Sequence, residues 1–182
     1  MVRRISGGRD LPRIPGPRRA AAAIILAIGL TMPALAQPSP GDLQRALAAG
    51  MGLHPSSGGR LEAGPAIRQF IAAGFVDRRP TRRMDYTDYR VLKRPFQYLG
   101  QNLLVIEEEY MTQYVGCCVD EGSGAIFRLS GDRSELTTFA AANKCRLDTG
   151  QSDIRARLAE LGLGREQGEF ARLSCRERDI AE

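Results

Sequence analysis

Apolar residues recur at helical spacing in four stretches of this chain and at strand-like spacing in five others. The first helical stretch follows Ser39. Ser39 suits the N-cap, Pro40 the first helical position and Asp42 the first turn, and Leu43, Ala46, Leu47 and Met51 share one face. A second short helix opens at Pro65. It carries Ile67, Phe70 and Ile71 as its stripe and closes at Gly74. Between the two, "PSSGGR" (55–60) reads as a loop.

Strand signals follow. "DYTDYRVL" (85–92) alternates. "NLLVIEEEYM" (102–111) also fits helical spacing at Leu103, Ile106 and Tyr110, but its β-branched and aromatic content favours a strand. "TQYVGCCV" (112–119) and "AIFRLS" (125–130) flank "DEGSG", which reads as the turn of a β-hairpin. "GDRSELTTFAAANK" (131–144) predicts a helix with an Asp132/Glu135 capping pair, ending at Asn143. "SDIRARLAELG" (152–162) predicts another, capped by Ser152 and stopped by Gly162. "GEFARLSC" (168–175) predicts a last strand before a polar tail. The order of elements implies an α+β fold: an antiparallel sheet of about four to five strands, with short helices packed on one face and disulfides as staples.

The first 36 residues stand apart. Six arginines, Arg3 to Arg19, precede an alanine-rich apolar run that ends in "ALAQ", with Ala34 and Ala36 at the small-residue positions of a cleavage site. This is the three-part pattern of a secretory signal. Cleavage after Ala36 is expected, leaving one domain over residues 37–182 in the periplasm or secreted, with no stable membrane anchor. Arg18-Arg19 before the apolar run also allows twin-arginine export, although the flanking residues match that motif poorly.

Charge changes meaning once the leader is set aside. The chain is formally +5, but the leader holds six Arg and one Asp, so 20 basic and 20 acidic residues remain. The mature domain is neutral, and nucleic acid is not an expected partner. Only Lys93 and Lys144 are lysines in that domain. Heavy Arg, Ala and Gly usage fits a GC-rich bacterial source.

Four features carry candidate chemistry. Cys117, Cys118, Cys145 and Cys175 are the four cysteines, an even count that in an exported chain reads first as disulfides. On a strand Cys117 and Cys118 point to opposite faces, so each is expected to bond to one of the other two, with Cys117–Cys175 and Cys118–Cys145 favoured. A vicinal Cys117–Cys118 bond ranks second, and free or metal-bound thiols third. The CxxC motif and the common zinc spacings are missing.

Glu107, Glu108 and Glu109 alternate across a strand, so Glu107 and Glu109 share a face that reads as solvated. Glu108, beside Ile106 and Tyr110, is the one expected to face the covered side. Arg78, Arg79, Arg82 and Arg83 form a basic loop able to meet an anionic headgroup or acidic partner. His54 is the only histidine, beside a Pro/Gly-rich loop, and reads as exposed. No G-x-S-x-G motif, nucleotide loop or metal-ligand set accompanies these residues, so no cofactor or metal is expected.

The expectation is a non-catalytic binding or interaction domain of the bacterial cell envelope, meeting an envelope protein or an anionic surface component. A periplasmic small-ligand or lipid carrier is the alternative. A carboxylate-dependent hydrolase ranks third. A cleft holding Glu108 with a second carboxylate would favour that third reading.

Overall fold

A computed structural model describes residues 37–109 and 120–180 of the chain. The described residues all belong to one compact unit, Ala36–Glu182. The expected leader, the strand expected over 112–119 and its Cys117 and Cys118 lie outside the described residues.

Helix α1, Pro40–Met51, begins with the expected cap. Ser39 Oγ accepts from the Asp42 backbone N–H at 3.2 Å, and the Asp42 carboxylate accepts from the Ser39 N–H at 3.0 Å. Helix α2, Gly64–Ala72, is followed at Gly74 by a left-handed residue, φ 74°. Seven antiparallel strands form one sheet: β1 (Arg82–Met84), β2 (Thr87–Val91), β3 (Gln97–Tyr98), β4 (Gln101–Glu109), β5 (Gly122–Arg128), β6 (Arg146–Asp148) and β7 (Phe170–Arg176). Their order is β1-β2-β4-β5-β7-β6, with β3 also paired to β4. Helices α3 (Ser134–Ala142) and α4 (Gln151–Glu160) lie between β5 and β7 in sequence, and a short α5 (Glu177–Ile180) follows β7. No helix among the described residues is long and apolar enough to cross a membrane.

The sheet is larger than expected, and helices cover both of its faces. Leu43, Leu47 and Met51 of α1, Ile67 and Phe70 of α2, and Leu136 of α3 pack on Ile106, Ala125, Phe127 and Leu173. Ile154 and Leu158 of α4 pack on the other face, against Tyr89, Val105, Ile126 and Phe170. Strand β5 shows why: Ala125, Ile126 and Phe127 are consecutive and fully buried, so both sides of the strand need cover.

Two expected caps differ. The Asp132 carboxylate accepts from the Ser134 N–H and hydroxyl instead of pairing with Glu135, and α4 starts from Gly150 with Ser152 inside the helix. The expected turn "DEGSG" also differs, because Gly122, Ser123 and Gly124 are the first three residues of β5.

Candidate functional site

The three glutamates at the end of β4 meet three different environments. Glu107 and Glu109 point to the face that α4 covers further along, and neither is solvated: Glu107 is 0% and Glu109 7% exposed. Arg172 grips Glu107 from β7, Nε to Oε1 at 2.9 Å and Nη2 to Oε2 at 2.8 Å. Arg176, itself fully buried, donates to Glu107 at 2.7 Å and to Glu109 at 2.5 Å. Asp179 of α5 closes the network by accepting from the Ser174 hydroxyl and the Arg176 N–H, both at 2.7 Å. Burial alone would raise the Glu107 carboxyl. The Arg172 and Arg176 guanidinium groups overcome it and hold the carboxyl below its ordinary range.

Strands β4 and β7 are not neighbours, since β5 runs between them. Their side chains meet because β5 offers bare backbone there. Gly124 lies opposite Glu107, and Gly122 opposite Glu109. A Cβ on Gly124 would stand 2.7 Å from the Leu173 carbonyl oxygen and 3.0 Å from Glu107 Oε2. Gly122 sits at φ 141°, and a Cβ there would stand 2.3 Å from the Cys175 carbonyl oxygen. The expected solvated glutamate face is therefore a buried ion cluster roofing a glycine strand.

Glu108 turns to the opposite face, as expected, and lines a cavity of about 390 Å³. The walls are β2 and β4, the start of β5, the loop from Arg60 and the first turn of α2. Asp88 lies directly across the β2–β4 ladder from Glu108. Both Asp88 oxygens are taken by Arg83, Nε at 2.6 Å and Nη2 at 2.8 Å. Arg90 shares the face of Asp88, and its Nη1 donates to the carbonyls of Asp77 and Arg78 at 3.0 Å each. Its Nη2 reaches Asp88 only at 3.9 Å and Glu108 at 4.0 Å, and its buried Nε has no partner among the described residues. Glu108 receives no hydrogen bond from the described residues, although its side chain is only 18% exposed. Burial raises its carboxyl. Arg90 opposes the shift, Asp88 adds to it, and Arg68 and Arg83 oppose it weakly.

The far wall is tied to a disulfide. Arg60 donates to the carbonyls of Asn143 (2.6 Å), Lys144 (2.6 Å) and Arg176 (3.0 Å). These residues flank Cys145 and Cys175, which are bonded to each other with Cα atoms 4.4 Å apart. The favoured pairs Cys117–Cys175 and Cys118–Cys145 are thus overturned. Cys175 does share a covered face with Ala171 and Leu173, as expected. Strand β6 brings Cys145 beside it by pairing Arg146 with Ser174, a strand with no apolar alternation to reveal it.

No protein-family model matches this chain, and no curated protein or solved structure matches it either.

The remaining residues singled out by sequence are spread out. Arg78, Arg79, Arg82 and Arg83 are all exposed. Arg82 and Arg83 are adjacent in β1 and so point to opposite faces, Arg83 toward Asp88. His54 is exposed, and its Nδ1 lies 3.0 Å from the Ser56 hydroxyl. Among the described residues no group of three or more His, Cys, Asp or Glu side chains could hold a metal ion. Arg60, Arg68, Asp88 and Arg90 were not among the expected site residues. For Asp88 and Arg90 a signal existed: they alternate with Tyr89 and Val91, and so share one face of a strand.

Proposed function

We propose that the domain from Gln37 onward is an exported binding domain of the cell envelope that holds a small polar ligand in the cleft above Glu108. The observation that carries this reading is the contrast along one strand. Glu107 and Glu109 are closed by four guanidinium contacts at 2.5–3.4 Å, whereas Glu108 lines a cavity with its nearest guanidinium nitrogen at 4.0 Å. A mostly buried carboxylate with no hydrogen bond from the described residues, and only the distant Arg90 as an ion-pair partner, calls for a donor. A ligand that donates to it supplies one, and the cavity falls within the usual size range of small-molecule sites.

The carboxylate-hydrolase reading draws on Asp88 and Glu108 lining the same cleft. It ranks lower because Asp88 has both oxygens occupied by Arg83 and is 3% exposed. A general base must reach the proton it removes. The test is a protein-observed 1H–15N NMR screen of the folded domain against amino acids, amino sugars, polyamines and dicarboxylates. Binding that shifts the Gly64 and Glu108 amides, and that Glu108→Gln abolishes, supports the proposal. A screen in which nothing shifts them refutes it.

A further inference from the structure

We infer that the ligand of this cleft is a small zwitterion of amino-acid or dipeptide size, its ammonium on Glu108 and its carboxylate on Arg68. This inference rests on the cleft-binding reading above. It follows from deciding which charges in the cavity wall are already matched. Asp88 is matched by Arg83. Glu109 is matched by Arg176 and Arg178. Arg60 is spent on three backbone carbonyls.

Five lining groups are left with unmet bonding capacity, and three of them, Glu62, Arg68 and Glu121, are exposed. Glu108 needs a donor. Arg68, exposed on α2, makes no hydrogen bond or ion pair among the described residues. Arg90 is under-bonded too, with its Nε enclosed and only its Nη2 directed at the two carboxylates of the wall. Its side chain is 9% exposed, its Nη1 is pinned by two carbonyls, its Nε has no partner and its Nη2 stops 4.0 Å from Glu108. Buried guanidinium donors are normally satisfied.

Glu108 and Arg68 frame a gap. Arg68 Nη1 lies 3.3 Å, and Glu108 Oε1 3.7 Å, from the point where a Cβ on Gly64 would stand. Glycine at the first position of α2 keeps that space clear. A purely anionic ligand would meet Glu108 with Glu62 and Glu121 in the same wall. A purely cationic one would meet Arg68, Arg90 and Arg60. An anion would leave Glu108 unpaired at the gap and a cation would leave Arg68 unpaired there, which is the costly outcome. A ligand carrying both signs close together pairs with both.

The experiment is isothermal titration of the folded domain with the free L-amino acids and with L-alanyl-L-alanine. Each ligand that binds is compared with its decarboxylated amine and its deaminated acid at equal ionic strength. The expected result is a zwitterion bound at least about tenfold more tightly than either single-charge analogue. Glu108→Gln and Arg68→Ala should each weaken it by about tenfold or more. Gly64→Ala should weaken it too while leaving the urea unfolding curve in place, because its methyl enters the gap and Gly64 has no left-handed φ. An amine or acid that binds as tightly as its zwitterion, with Glu108→Gln still disruptive, overturns the ligand class and leaves the cleft reading standing. So does a different polar compound that shifts the cleft amides when no amino acid or dipeptide binds. A cleft that binds nothing overturns both.

Discussion

Glu107→Gln is the sharpest test of how this fold is held together. The substitution keeps side-chain size and removes one charge. It leaves Arg176, which is fully buried, and the partly buried Arg172 facing a neutral amide, where four contacts of 2.7–3.2 Å now end on a carboxylate. One amide oxygen cannot accept as the two carboxylate oxygens do, and the amide nitrogen would face guanidinium donors. Breaking one partner out of a buried ion cluster costs about 3–5 kcal/mol. Domains of this size have total stabilities of about 5–15 kcal/mol. The midpoint of thermal unfolding should therefore fall by about 6–20 °C.

Urea unfolding at pH 7, followed by circular dichroism, reads the loss directly as a lower midpoint at unchanged slope. The pH dependence gives a second check. The Glu107 carboxyl is depressed in the folded state. Its contribution is therefore present above the unfolded value of about 4.3 and is lost as pH falls through the lower folded value. The acid limb of the wild-type stability curve should flatten in the variant. A loss below about 1 kcal/mol at pH 7, the level of an exposed pair, would refute the reasoning.

Glu108→Gln should do the opposite. Its folded carboxyl is raised, so ionisation costs stability as pH rises through that value. The variant should gain about 0.5–1 kcal/mol at pH 7 and nothing near pH 4, at the expense of binding; a loss at pH 7 would contradict the cleft electrostatics. Gly124→Ala should cost about 2 kcal/mol or more in the same urea assay, because its methyl meets the Leu173 carbonyl oxygen at 2.7 Å. Non-reducing peptide mapping should recover a Cys145–Cys175 crosslink, and a map joining either residue to Cys117 or Cys118 would refute the pairing. Closing this 30-residue separation contributes about 3.6 kcal/mol in the chain-entropy model, which denaturation with and without a dithiol reductant measures. N-terminal sequencing of protein from the culture medium or periplasm should begin at Gln37, and recovery only of chains beginning near Met1 would remove the export proposal.

The strong elements of the fold were legible because local chemistry and tertiary packing agree there. Ser39 caps α1 as its sequence promises, and Gly74 follows α2 in the left-handed conformation that glycine tolerates. Strands β1 and β6 were not legible. "RRM" and "RLD" carry charges and no alternation, as short edge strands commonly do. The second covered face was legible in principle. Three consecutive apolar residues in "AIF" cannot all point to one side of a strand, and a reading with helices on one face overlooks that.

The triple glutamate shows where a single sequence runs out. Alternation correctly separates Glu108 from Glu107 and Glu109, but it does not say which side is wet. That answer lies 65–69 residues away, in Arg172 and Arg176, and depends on the strand between them. In hindsight the three strands carry one shared period. Acidic residues at 107 and 109, glycines at 122 and 124, and arginines at 172 and 176 occupy one face of β4, β5 and β7. Glycine in the middle strand is what lets opposite charges meet over it, so a G-x-G strand between an acidic and a basic strand is a signal for a buried ion cluster. The same cluster makes the cleft readable. With Glu107 and Glu109 fixed by arginines on one face, the open carboxyl of Glu108 on the other cannot be put down to a general shortage of cations near β4. Arg68 and Arg90 line the same cavity. Gly64 keeps the gap between Arg68 and Glu108 clear, and that local arrangement leaves room for a ligand.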